Sequence, residues 1–172
     1  NLLSEFLSVW TLDKVQKMTI EEYTDLSAEN SFCRWLEYKS EDLGIIGGIT
    51  TAKFEIWKTN LKKDYTNSSF STDGTYVWKS TKGKNAQKAF TNIKELIVQI
   101  IKNAMELNWD AIENIPFHAI GKWKIAFLYS SKRILPIYSR KLLLPIAQGL
   151  GMTCTYSTPI SKIQQFIMNL KP

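Results

Sequence analysis

From Asn85 onward the chain places Ala86, Ala89, Phe90, Ile93, Leu96, Ile97, Ile100, Ile101, Ala104 and Met105 at spacings of mostly three and four. Residues so spaced share one face of an α-helix, at about 3.6 residues per turn. The pattern predicts one long central helix over about 85–106. A helix with an apolar stripe of that length has to be covered, so it fixes where the core lies and what the rest of the chain must do. The chain has 172 residues, 44% of them hydrophobic and 22% charged, enough to build a globular core around it. No apolar run reaches the roughly 18 residues needed to cross a bilayer.

The flanking segments read as short covers. Residues 2–9 are patterned as an amphipathic helix. Thr11 caps LDKVQKM, Thr19-x-x-Glu22 is a capping box for IEEYTDL, and Ser31 caps FCRWLEYK. Gly44, Gly47 and Gly48 break the helical pattern, and Lys53–Ile56 then alternates as a strand does. Residues 59–74 are polar and turn-rich, predicting a long loop or hairpin tip. Thr75–Trp78 reads as a second strand and Ser80–Lys84 as a basic turn. Trp109–Ile115 is a short helix stopped by Pro116. Residues 122–129 alternate, which puts Trp123, Ile125 and Phe127 on one strand face and Lys122, Lys124 and Ala126 on the other. Arg133–Tyr138 is extended. Ser139 caps RKLLLPIAQGLG, kinked at Pro145, and Ser161 caps IQQFIMNL.

The expected class is therefore α+β, with a small mixed or antiparallel sheet packed with several helices. Residues 1–156 form one domain, and 157–172 are a linker and C-terminal helix. Cys33 and Cys154 are expected as buried thiols. NLLSEFLSVW lacks the basic region and small-residue cleavage site of a signal peptide, so a cytoplasmic protein is expected. The start at Asn1 reads as a piece excised from something longer.

Charge is distributed in blocks. The net charge is +6, yet residues 1–52 hold 9 acids against 4 bases, while residues 53–94 and 122–141 each carry +6. Segregation of this kind suggests a basic face for a polyanion, against the plainer reading of lysines filling solvated positions. The candidate DNA-backbone contacts are Lys53, Lys58, Lys79, Lys82, Lys84, Lys88, Lys122, Lys124, Lys132 and Arg133. The aromatics among them, Trp57, Tyr76, Trp78, Trp123 and Tyr129, are candidates for base stacking or a base pocket.

Catalytic constellations are missing. His118 is the only histidine, no nucleophile elbow is present, and the glycine spacing of a phosphate loop is absent. Asp25, Glu37 and Lys39 have the residue types of a metal-nuclease set, but SFCRWLEYK is patterned as a helix, where a solvated face is the simpler reading. No catalytic residue, metal or cofactor is expected.

FLSVWTLDKVQKMTIEEYTDL, SFCRWLEYKSEDLGIIGGITTAKFEIW, GTYVWKSTKGKNAQKAF and GKWKIAFLYSSKRILPIYSRKLLLPIAQGLG together resemble the N-terminal region of McrB-like modification-dependent restriction proteins, over about residues 5–151. The resemblance implies a non-catalytic module that reads double-stranded DNA, either methylated cytosine or a short site, and the aromatic candidates add base flipping into a pocket as one mode of recognition. It also implies a longer parent with a GTP- or ATP-driven motor and a McrC-like nuclease partner, and no membrane association. The alternative is a protein-interaction module that docks the nuclease or helps assemble the motor ring, through the acidic helices of residues 1–42.

Overall fold

The computed structural model describes residues 1–48, 50–59 and 69–170. The long helix is present as α5, Ala86–Glu106, with Asn85 accepting from the Lys88 amide at 2.8 Å. Its stripe of Ala86, Ala89, Phe90, Ile93, Ile97, Ile100, Ile101 and Ala104 is fully buried. Met105 is open, because the helix closes just beyond it with Leu107 in a left-handed turn.

Short helices cover one side. They are α1 (Leu2–Val9), α2 (Leu12–Lys17), α3 (Ile20–Thr24) and α4 (Phe32–Arg34), which runs on into a wide π-turn at Trp35–Lys39. The caps at Thr11 and Ser31 and the complete Thr19–Glu22 capping box are all made. Each satisfies amides that a short helix would otherwise leave orphaned. The apolar faces meet in an aromatic cluster in which Phe32 touches Phe6, Trp10 and Tyr23, and Phe6 also contacts Trp35 and Tyr129.

A three-stranded antiparallel sheet packs on α5, in the order β1–β3–β2, with β1 at Ile56–Lys58, β2 at Phe70–Thr72 and β3 at Tyr76–Lys79. The expected strand at Lys53–Ile56 is corrected: Thr51–Phe54 is a 3-10 turn, and the strand begins only at Ile56. Of the expected 59–74 loop, residues 60–68 lie outside the described residues, and Phe70–Thr72 pairs as a strand. Asp73 turns β2 into β3 by accepting from the Thr75 and Tyr76 amides.

The largest correction concerns residues 122–129. They are no strand but part of α7, Ala119–Tyr129, which packs along α5 with every residue from Gly121 to Tyr129 buried. Gly121 makes the approach possible, since a Cβ there would overlap the Lys53 carbonyl oxygen and the Phe117 ring. Helix α6 (Trp109–Asn114) lies between α5 and α7 in the chain. Beyond α7, residues 133–139 are irregular, with bends at Ile134 and Pro136, and form no strand, where an extended segment was expected over Arg133–Tyr138. Then come α8 (Arg140–Gly149) and α9 (Ile160–Asn169). Helix α9 starts after Pro159 rather than at a Ser161 cap. It packs on α6 and α8, burying Ile160 and Ile163 in the common core. Cys33 and Cys154 are free and buried. No described helix is long and apolar enough to cross a membrane.

Candidate nucleic-acid interface

Three of the ten candidate backbone contacts are enclosed by the fold. Lys53 is buried and bonds Glu37 Oε1 at 2.8 Å. Lys122 reaches from α7 to the carbonyls of Glu113 (2.6 Å) and Ile115 (3.1 Å). Lys124 reaches the other way, to the carbonyls of Ser40 (2.7 Å), Leu43 (3.2 Å) and Gly44 (2.7 Å). Two residues apart on a helix is a rotation of about 200°, so the two side chains leave α7 on nearly opposite sides. Each ends on the carbonyls that terminate a short helix, the position a cation favours. Lys122 and Lys124 therefore touch backbone oxygens in the interior. Burial lowers both ammonium groups, Lys124 to about 7.

A second polar centre is Glu55, which the sequence reading passed over. It is buried in a left-handed backbone conformation (φ 66°) just before β1. Its carboxylate accepts from Lys79 Nζ at 2.9 Å and from the His118 amide at 2.5 Å, and Lys82 Nζ lies 3.6 Å away. Lys82 also donates to the Pro116 carbonyl. Burial, with Lys79 beside it, holds the His118 imidazole below its usual range. Lys79 and Lys82 thus tie the 79–82 turn to the helical body. The only hint in sequence was a single acid among many lysines.

What remains open lies at two ends of α5. Lys84 and Lys88 are exposed at its N-terminus and make no ion pair among the described residues. Lys58 is exposed on β1, 3.6 Å from Asp25. Lys132 and Arg133 are exposed at the other end, where Arg133 donates to the Met105 carbonyl. The 21 residues of α5 span roughly 30 Å, so the two cation groups do not form one cluster.

Three of the five candidate aromatics are withdrawn from solvent. Trp78 is buried with its indole N–H on the Gly83 carbonyl at 2.8 Å, Trp123 packs against Trp109, and Tyr129 donates to the Trp10 carbonyl at 2.6 Å. Trp57 and Tyr76 stay half-open. Strand register puts Trp57, Val77 and Thr72 in one cross-strand row and Phe70 opposite Lys79. Trp57, Phe70 and Lys79 therefore share one face of the sheet, and the Trp57 and Phe70 rings meet edge to face at 5.3 Å. Phe70 was not among the expected stacking residues.

This sheet face continues directly into the turn Ser80–Lys82 and the start of α5. Gly83 lets the turn lie against the helix, since a Cβ there would stand 2.5 Å from the Ala89 nitrogen. Ser80, Thr81, Lys84, Asn85 and Lys88 are exposed around the N-terminus of α5, and no acid occupies its first turn. The positive end of the helix dipole, exposed hydroxyls and two ammonium groups without an ion pair among the described residues together suit a phosphate.

The residues of the nuclease-like set do not come together. Glu37 turns inward onto Lys53 rather than forming a solvated face, Lys39 donates to Asn30 Oδ1, and Asp25 accepts from Ser27 near Lys58. Comparisons with protein-family models, curated proteins and solved structures find no match.

Proposed function

We propose that this chain is a non-catalytic DNA-binding domain, with its backbone contact at the Ser80–Lys88 turn and helix start. The observation that carries this reading is the pair Lys84 and Lys88, exposed and without an ion pair among the described residues, at an acid-free N-terminus of a 21-residue helix. The Trp57–Phe70 face beside Lys79 supplies the stacking surface, for an unpaired or extruded base. The resemblance to the N-terminal regions of McrB-like restriction proteins supports double-stranded DNA as the ligand, with methylated cytosine or a short site as the feature read. A motor and a McrC-like nuclease would then belong to a longer parent.

The test is titration of methylated and unmethylated duplexes against three proteins. The Lys84→Glu/Lys88→Glu variant should lose at least about tenfold in affinity, and its log K against log salt slope should flatten by about two. Lys132→Glu/Arg133→Glu, at the far end of α5, should bind nearly as the wild type does. If the first variant binds as tightly as wild type, the reading fails.

A further inference from the structure

Helix α8 is amphipathic, and its apolar face is only partly covered. Leu142 to Ala147 are six consecutive apolar residues, of which Leu143 and Ala147 are buried. Leu142 (58% exposed), Ile146 (40%) and Leu150 (49%) recur at four-residue spacing and form an open stripe beside the buried Leu143 and Ala147. The apolar face of an amphipathic helix is ordinarily covered. The stripe runs into a cavity of about 340 Å³ lined by Glu41, Gly44, Ile45, Pro136, Ile137 and Leu142. Ile45, at its mouth, is 72% exposed.

The charges around this surface identify what covers it. Glu41 lines one side, with Asp42 next to it in the chain; on the other side Arg140 and Lys141 stand in the chain between the lining residues Ser139 and Leu142. Glu41, Asp42 and Lys141 are exposed and make no ion pair among the described residues, with one another or with anything else. Arg140 is held by the Thr158 carbonyl and lies over the Tyr156 ring. The 41–45 wall is itself anchored, by Lys124 on the carbonyls of Leu43 and Gly44. An anionic lipid surface or a nucleic acid would meet Glu41 and Asp42 as like charges. A twofold axis through an apolar centre, by contrast, brings the acidic wall of each copy onto the basic wall of the other. The surface then has the make-up of an interface, with isoleucine and leucine at the centre and charges at the rim.

We infer that the α8 stripe and the adjoining cavity form an isologous dimer interface with a second copy of this chain, Ile45, Leu142 and Ile146 packing at the centre and Glu41 of each protomer pairing with Lys141 of the other. The inference is independent of DNA binding. Sedimentation equilibrium over a range of protein concentrations tests it. The wild type should approach twice 19.8 kDa as concentration rises. Leu142→Asp/Ile146→Asp changes only exposed side chains, so it should keep the wild-type circular dichroism and remain monomeric. Lys141→Glu should weaken dimerisation at least about tenfold, and adding Glu41→Lys to it should restore the wild-type constant. The inference is overturned if the wild type stays monomeric throughout, if the aspartate variant dimerises as well as wild type, or if the charge swap gives no recovery. It is also overturned if the surface proves to be a membrane contact, with phosphatidylglycerol vesicles binding wild type but not the aspartate variant and no dimer forming.

Discussion

Lys124 shows how far a side chain's role can lie from its apparent one. In the sequence it is one of six cations in a strip without acids. In the fold its ammonium is enclosed by three carbonyls, and burial pushes it from the ordinary 10.5 down to about 7. An unfolded chain keeps that proton to about pH 10.4. Between the two values the unfolded state binds more protons, so stability rises with pH across this window and is lost as pH falls through it. Lys122 is lowered too and adds to the same trend. The hydroxyls of Tyr23, Tyr129 and Tyr138 are pushed up by burial, so above about pH 10 the unfolded chain sheds tyrosine protons that the fold retains. Burial pushes the Cys33 thiol up as well, and the unfolded chain sheds that proton from about pH 8.5, so stability should climb from pH 7 and turn over at roughly pH 9. Urea midpoints measured from pH 7 to 11 test this. Lys124→Met should be less stable and should show a flatter rise, each unit of the pKa gap being about 1.4 kcal/mol. An unchanged slope in the variant would mean that Lys124 does not titrate in this window.

At the level of elements, what could be read in the sequence was what is decided locally. The stripe of α5 needs only its own spacing, and the caps at Asn85, Thr11, Thr19 and Ser31 need only the next three residues. Helix α7 is decided otherwise. Lys122 and Lys124 have interior partners on both sides, some as distant in sequence as Ser40, so buried lysines break the apolar periodicity and imitate strand alternation. The candidate interface was legible in part for the same reason. Lys84 and Lys88 flank a helix start that sequence can place, whereas the pairing of Trp57 with Phe70 depends on sheet register. Gly121 gives a test at this scale. Gly121→Ala puts a methyl against the Lys53 carbonyl and the Phe117 ring, where the α7 backbone meets the 51–54 turn. The cost should be about 1–3 kcal/mol despite alanine's better helix propensity, read as a lower thermal midpoint. An unchanged or higher midpoint would show that α7 does not pack this closely.

Across the whole molecule, charge is sorted by sequence position but not gathered on one face. No acid follows Glu113, so residues 114–172 carry eight cations unopposed. Two of these, Lys122 and Lys124, are consumed inside, and Lys132 with Arg133 stands a helix length from Lys84 and Lys88. A surface that appears uniformly basic in composition thus resolves into separate ends, one beside the aromatic sheet face and one beside the C-terminal end of α5. The enclosure of Lys53, Lys122 and Lys124 has a practical corollary. An amine-acylating reagent should divide the lysines into two kinetic classes: Lys84, Lys88 and Lys132 modified quickly, the enclosed three only as often as the chain opens. Peptide-resolved mass spectrometry of the slow class would then time global opening with a clock already built into the polypeptide.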